Sequence, residues 1–168
     1  LESWKPERVI KAHPGQVLYF ADVTINILGS QDLVLPGTIS SHNNMSIVSM
    51  VEFKGYDALY LADSESLMNN QLKTIYAEEL DCDILQLAHH GYHNTGAGVV
   101  YDYTDPSIVF WPVSTGHYDG SGGAYVKGVS FNQRFFASGI TNHIAGETNM
   151  TIKNFNTWVP EPRWNPMP

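Results

Sequence analysis

Short runs of β-branched, aromatic and leucine side chains, separated by turn-forming residues, predict β-strands in the first part of the chain. The first two runs flank Ala21-Asp22, which predicts a bend or a hairpin turn between them. The next two flank Lys54-Gly55-Tyr56, and glycine in so short a connection indicates an antiparallel hairpin. The four predicted strands cover residues 16–20, 23–28, 45–53 and 57–62.

An amphipathic helix is predicted directly after the fourth strand, over residues 64–79. Apolar side chains recur there at spacings of three and four, so they share one face of a helix. Ser64 is placed to cap the first turn of that helix. The apolar positions are Met68, Leu72, Ile75 and Tyr76.

Strands and helices continue to alternate in the rest of the chain. A buried strand is predicted at residues 84–88 and another at 108–112, with a weak helix or an irregular crossover over residues 96–103 between them. Such alternation is typical of an α/β fold in which helices pack on a sheet. The remaining predicted elements are a glycine-rich loop at 114–123, a helix at 125–138 and short strands at 141–145 and 150–152.

Length and composition favour one folded domain. Of the 168 residues, 43% are hydrophobic and 15% are charged, which argues against a disordered chain, and no apolar run approaches the ~20 residues of a membrane span. The net charge of −8 disfavours a nucleic-acid surface that works by broad phosphate neutralisation. We expect a lead-in at residues 1–13, the domain at 14–153 and a Pro/Trp-rich extended tail at 154–168.

Predicted strands end in polar side chains that suit metal-ion chemistry. One apolar run ends at Asp63, the next ends at His89 and His90, and the strand at 108–112 leads to His117. In a layered α/β sheet neighbouring strand ends open on one crevice, so a carboxylate and an imidazole from different strands can meet there. Carboxylate with imidazole suits zinc, iron or manganese. The motifs of a nucleophile elbow and of a phosphate-binding loop do not occur in the sequence.

Plainer structural roles are open for the same residues. Asp63 could have a purely structural role, in which its carboxylate meets the free backbone amides at the start of the following helix. That role and metal binding are compatible. Because successive strand side chains point to opposite faces, His89 and His90 can share a target only where the strand has become a loop. Cys82 is expected to be a small core residue rather than a reactive thiol. The other histidines are expected to be polar loop residues: His13, His42, His93, His117 and His143.

Three segments together resemble a known family. Residues 43–48 read Asn-Asn-Met-Ser-Ile-Val, residues 58–63 read Ala-Leu-Tyr-Leu-Ala-Asp, and residues 83–91 read Asp-Ile-Leu-Gln-Leu-Ala-His-His-Gly. In this order they resemble the C-terminal half of metallo-β-lactamase-fold hydrolases, and most of all the branch that contains the competence protein ComEC and the phosphorylcholine esterases. The resemblance implies half of an αββα sandwich, a mixed sheet with helices on one face. It also implies that Asp63 bridges two metal ions, that His89 is the terminal ligand and that His90 faces the substrate.

Two departures from the family pattern shape the expectation. The principal family motif, His-x-His-x-Asp-His, belongs to the N-terminal half of the fold and does not occur in this sequence. Asp63 and His89 alone do not close a metal shell, because a catalytic zinc normally takes three protein ligands and a water. We therefore expect either that a preceding segment was removed or that the lineage has lost catalysis. Ala62 stands where the family has glycine, and we expect an ordinary backbone conformation to tolerate it.

The resemblance implies the C-terminal portion of a metal-dependent hydrolase. Its cofactor would be zinc, with two ions in the complete domain, and its substrate a small molecule or a phosphodiester or related ester. We expect the chain to be inactive without the missing N-terminal half of the same domain. Its uncovered sheet face leaves self-association of the fragment open. The competing interpretation is a non-catalytic binding or structural domain that kept the scaffold but lost the metal site. The aromatic residues that would line its binding surface are Trp111, Tyr118, Tyr125, Trp158 and Trp164.

Overall fold

The fold is an α/β structure built on one six-stranded mixed sheet. The computed structural model describes residues 9–34, 41–92, 97–106 and 108–112. The strands lie in the sheet in the order of the chain. The pairings from the first strand to the fourth are antiparallel, and the pairings from the fourth strand to the sixth are parallel. Their bounds are β1 Val17–Phe20, β2 Val23–Gly29, β3 Val48–Phe53, β4 Tyr56–Tyr60, β5 Ile84–Gln86 and β6 Ile108–Phe110.

The predicted hairpin of β3 and β4 is confirmed, and of the two alternatives for the connection at Ala21-Asp22 the structure shows the hairpin turn. Strand β1 pairs with β2, and β3 pairs with β4, each in an antiparallel register without a shift. Lys54 and Gly55 form the second turn with φ values of 51° and 81°, which is the left-handed geometry that a tight hairpin requires. Glycine adopts this conformation without steric cost, so its place in the sequence was informative.

The predicted helix is present as α1, Ser66–Tyr76, but its predicted cap is wrong. The N-cap residue is Glu65, and its side chain makes no capping hydrogen bond. Ser64 is buried, and its hydroxyl donates instead to Oδ1 of Asn69 at 2.8 Å. A buried side chain of the same helix therefore holds the hydroxyl that the sequence pattern assigned to the backbone.

Helices occupy the connections between the parallel strands. The connection from β4 to β5 contains α1, and the one from β5 to β6 contains the short helix α2, Gly98–Tyr101, in the region of the predicted crossover. None of the described helices is long and apolar enough to cross a membrane. Four 3₁₀ segments complete the described elements: Gln31–Leu33, His42–Met45, Ala77–Leu80 and Ala88–Gly91.

The hydrophobic core lies where α1 packs on the sheet. Leu59 and Leu85 are register partners on β4 and β5, and both are fully buried with Met68 and Leu72 of the helix. At Gly29 strand β2 and helix α1 approach each other so closely that an added Cβ would lie 2.8 Å from Sδ of Met68. Cys82 belongs to the same core, as predicted. The elements predicted beyond residue 112 lie outside the described residues.

Several carboxylates lie close together at the end of the sheet where β4 begins. Asp57 is the register partner of Glu52, and its backbone N–H donates to Oδ2 of Asp83 at 3.0 Å. Its own Oδ1 is buried and has no hydrogen-bond partner among the described residues. Burial, reinforced by the charges of Glu52, Asp83 and Asp81, raises the pKa of Asp57 to about 6. Ionised Asp57 is therefore unfavourable in the folded protein.

The Asp57→Asn variant is expected to be more stable than the wild type at pH 7. Because the folded-state pKa is raised from 3.8 to about 6, the wild type loses stability as the pH rises through that window, and the loss is complete above it. Full burial would make this shift worth about 3 kcal/mol, and partial exposure reduces the gain to about 1–2 kcal/mol. Urea unfolding at pH 4 and pH 7 measures it, with the exposed Asp102→Asn as the matched control. Equal gains at both pH values would contradict the assignment.

Candidate metal centre

Two predicted site residues, Asp63 and His90, lie side by side at the C-terminal ends of strands β4 and β5. Strands β4 and β5 are parallel neighbours, so the loops that follow them leave the sheet at the same edge. Oδ1 of Asp63 lies 3.6 Å from Nε2 of His90, and each side chain is 49% exposed. The site is therefore open to solvent and accessible to a ligand.

Left-handed backbone conformations are concentrated in the same two loops. Ala62 has a φ of 52°, and His89, His90 and Gly91 have φ values of 44°, 55° and 73°. The loops are tied together, because His89 N–H donates to the carbonyl of Ala62 at 2.8 Å, and Oε1 of Gln86 accepts from Ala62 N–H at 2.7 Å. Each non-glycine residue in this region carries a steric cost that the surrounding contacts must offset. The strain marks this edge as a candidate functional site.

The expectation of an ordinary conformation at Ala62 is wrong. With a φ of 52° the residue occupies the left-handed region that glycine adopts freely. The cause is tertiary: Gln86 holds the N–H of Ala62, and His89 holds its carbonyl.

The Ala62→Gly variant is accordingly expected to raise the free energy of unfolding by about 0.5–1 kcal/mol. Removing Cβ relieves roughly 1–2 kcal/mol of left-handed strain, and the greater freedom of glycine in the unfolded chain offsets part of that gain. Chemical denaturation measures the change. The control is Ala58→Gly in β4, where the same substitution should lower stability by about 0.5–1 kcal/mol. A destabilised Ala62→Gly variant would argue against the left-handed conformation.

The ring of His90 is held in one tautomer. Nδ1 lies 2.7 Å from the carbonyl oxygen of Pro112, and because a carbonyl only accepts, Nδ1 carries the proton. Nε1 of Trp111 donates to the backbone carbonyl of His90 at 2.7 Å and fixes the same loop. In the neutral ring Nε2 therefore points a lone pair at the carboxylate of Asp63. Two electron-pair donors in that position are suited to bind a metal ion between them.

His89 makes a separate set of contacts with residues that the sequence reasoning had not assigned to the site. Its Nδ1 lies 3.3 Å from Oε1 of Glu65, and that oxygen accepts a hydrogen bond from Nδ2 of Asn43 at 3.0 Å. The rings of His89 and Tyr92 are 5.3 Å apart. Asn43 is the first residue of the segment 43–48 described above. The sequence feature that could have identified Glu65 is its position, since it is an acidic residue two positions after Asp63. The structure thus places Asp63 beside His90 and Glu65 beside His89.

The spacing of Asp63 and His90 suits a shared metal ion. Ligand bonds of about 2.0–2.2 Å to zinc place two donors of a tetrahedral shell about 3.3–3.6 Å apart, and Oδ1 and Nε2 are 3.6 Å apart. A metal-ligating histidine typically donates its other N–H to a carbonyl or carboxylate, as His90 does to Pro112. Within the described ranges, no group of three or more histidine, cysteine, aspartate or glutamate side chains converges as a metal ion requires. The pair therefore fits part of a zinc shell.

The other candidate residues are placed away from this pair or outside the described residues. His13 pairs with Asp32 at 2.6 Å in an exposed contact, and His42 is an exposed residue of its 3₁₀ segment. Trp111 is 1% exposed and belongs to the core, so it does not line a binding surface. Outside the described residues lie His93, His117, His143, Tyr118, Tyr125, Trp158 and Trp164.

Comparison with known proteins provides no family assignment. The sequence matches no model of a protein family, and no curated protein sequence matches it. Functional inference therefore depends on the residues of the chain and their geometry.

Proposed function

We propose that the chain is the C-terminal part of a metallo-β-lactamase-like domain and contributes to a zinc centre that hydrolyses a phosphodiester or a related ester. The observation that carries this proposal is the contact of Asp63 Oδ1 with Nε2 of His90 at 3.6 Å. The Pro112 carbonyl holds that imidazole with its unprotonated nitrogen toward the carboxylate. Such a pair is suited to bind a cation, and the loops that carry it contain strained backbone.

The two faces of the sheet support the sandwich architecture. One face is buried under α1, while Phe20, Phe53 and Tyr60 are exposed. The strand registers place these three side chains on the face away from the helix, because residues alternate between faces along each strand. An exposed apolar face of this kind is suited to pack on a second sheet. We propose that the other half of the same domain covers it, and that self-association covers it when that half is absent.

The two histidines and Asp63 have distinct proposed roles. The contacts favour His90, rather than His89, as the imidazole that shares an ion with Asp63. His89 then serves as the second imidazole of a two-ion centre, and further ligands come from outside the described residues. When bound, zinc lowers the pKa of a bound water and polarises the scissile bond. In this proposal Asp63 and His90 hold the zinc ion with their donor atoms Oδ1 and Nε2, at the solvent-exposed ends of the strands.

Titration of the purified chain with Zn²⁺ tests the proposal. We expect weak zinc binding, followed by the shifts of the His89 and His90 ring signals, and little hydrolysis of bis(p-nitrophenyl) phosphate. The reason is that the sequence lacks the His-x-His-x-Asp-His segment that the resembled family uses to complete its metal shell. Isothermal calorimetry and NMR measure binding. Complete absence of zinc binding would contradict the metal function and favour the non-catalytic binding or structural domain. A tight site for two ions would contradict the proposed need for ligands from the rest of the domain.

A further inference from the structure

Glu65 joins two separate loops at the candidate centre. Its Oε1 accepts the hydrogen bond of Asn43 Nδ2 at 3.0 Å and lies 3.3 Å from Nδ1 of His89. Asn43 belongs to the 3₁₀ segment that precedes β3, whereas His89 belongs to the loop after β5. Three distant parts of the sequence therefore meet at one mostly buried carboxylate.

The contacts of the His89 ring agree with only one neutral tautomer. The carboxylate of Glu65 only accepts, so the neighbouring Nδ1 carries the proton. The amide nitrogen of Asn43 only donates and lies 3.5 Å from Nε2, so Nε2 carries the lone pair. The opposite tautomer would place a lone pair against the carboxylate and two donors against each other. Nδ1 of His89 is buried and makes no hydrogen bond of normal geometry among the described residues. The Oε1 atom of Glu65 lies 3.3 Å from it, so a small rotation of either side chain would complete this contact.

We propose that Glu65 is the positioning residue of this centre: together with Asn43, it fixes the His89 imidazole so that Nε2 is available as an electron-pair donor. The inference deepens the function proposed above and depends on it only where metal binding is concerned. A carboxylate behind an imidazole fixes the ring orientation and raises its basicity toward a ligand. The Glu65 side chain is available for this role because it makes no capping hydrogen bond to α1.

The tautomer of His89 tests the inference without any metal. Long-range ¹H–¹⁵N NMR of the full chain at pH 8 distinguishes a protonated Nδ1 from a protonated Nε2. We expect a protonated Nδ1 in the wild type and in Glu65→Gln, whose side-chain oxygen can still accept, and a mixture of tautomers in Glu65→Ala. The exposed Glu78→Ala is the matched control and should leave the His89 signals unchanged. A protonated Nε2 in the wild type, or an unaltered tautomer in Glu65→Ala, would overturn the proposal.

Zinc titration of the same variants separates this inference from the proposed function. Loss of a carboxylate behind a ligating histidine weakens metal binding by roughly 10–100-fold, so we expect that loss in Glu65→Ala and a smaller one in Glu65→Gln. If the wild type binds no zinc, the metal function fails, and the tautomer measurement still decides the role of Glu65. If the wild type binds zinc and Glu65→Ala binds it equally well, the positioning role is overturned while the metal function stands.

Discussion

On the proposed function, replacement of Asp63 or His90 with alanine is expected to abolish hydrolysis and to weaken zinc binding by more than the roughly 10–100-fold that loss of a supporting partner costs. Each variant removes one of two donor atoms that lie 3.6 Å apart. Folding should be little affected, because both side chains are about half exposed and such ion pairs contribute only about 0–1 kcal/mol. Calorimetry for zinc and urea unfolding for stability measure the two effects separately.

The exposed pair of His13 and Asp32 is the matched control for that experiment. Its contact of 2.6 Å also joins an imidazole and a carboxylate, but it lies on a different loop of the protein. Alanine substitutions there should leave zinc binding unchanged. Wild-type affinity in both Asp63→Ala and His90→Ala, or equal losses in the control variants, would exclude the proposed centre.

Trp111 is expected to link the stability of the core to the position of His90. Its side chain is 1% exposed and its Nε1 donates to the carbonyl of His90. Trp111→Ala should lower the free energy of unfolding by about 3–5 kcal/mol, a large part of the roughly 5–15 kcal/mol of a typical domain. Trp111→Phe keeps most of the volume, so it should cost less and remove mainly the hydrogen bond, about 1 kcal/mol.

Urea unfolding and zinc titration of both Trp111 variants provide the check. Phe110→Ala is the neighbouring control: its side chain is only partly buried, so the same truncation should cost less. Trp111→Phe should also weaken zinc binding, because His90 loses the hydrogen bond from Trp111 and keeps the contact of its ring with the carbonyl of Pro112. Zinc affinity equal to the wild type in a folded Trp111→Phe would show that the tryptophan supports only the core.

Local features of the sequence predicted much of the fold. Hairpins and α1 were recognised because their signals, glycine in a short turn and apolar residues at helical spacing, act within a few residues. The cap at Ser64 was predicted wrongly because the competing partner, Asn69, is fixed by burial rather than by local preference. The left-handed conformation of Ala62 likewise follows from contacts with residues 86 and 89.

The sequence predicted where Asp63, His89 and His90 lie in the fold, but it did not predict which side chains they contact. Asp63, His89 and His90 were identified because polar groups at strand ends face one edge of a sheet. Which imidazole meets which carboxylate depends on how the two adjacent left-handed residues turn their rings, and no sequence pattern encodes that rotation. The orientation of His90 is set by Pro112, which lies far along the chain. Asn43 and Glu65 are brought to His89 in the same way by tertiary packing.

The matching order of strands in chain and sheet bears on how the molecule folds. Each strand needs only its immediate predecessor as a template, so the two hairpins can form from contacts that are close in sequence. The parallel pairing of β4 with β5 must wait for closure of the chain through α1, and that of β5 with β6 for a second crossover. Asp63 and His90 lie at these later junctions. We therefore infer that the candidate centre is among the last parts of the described fold to assemble.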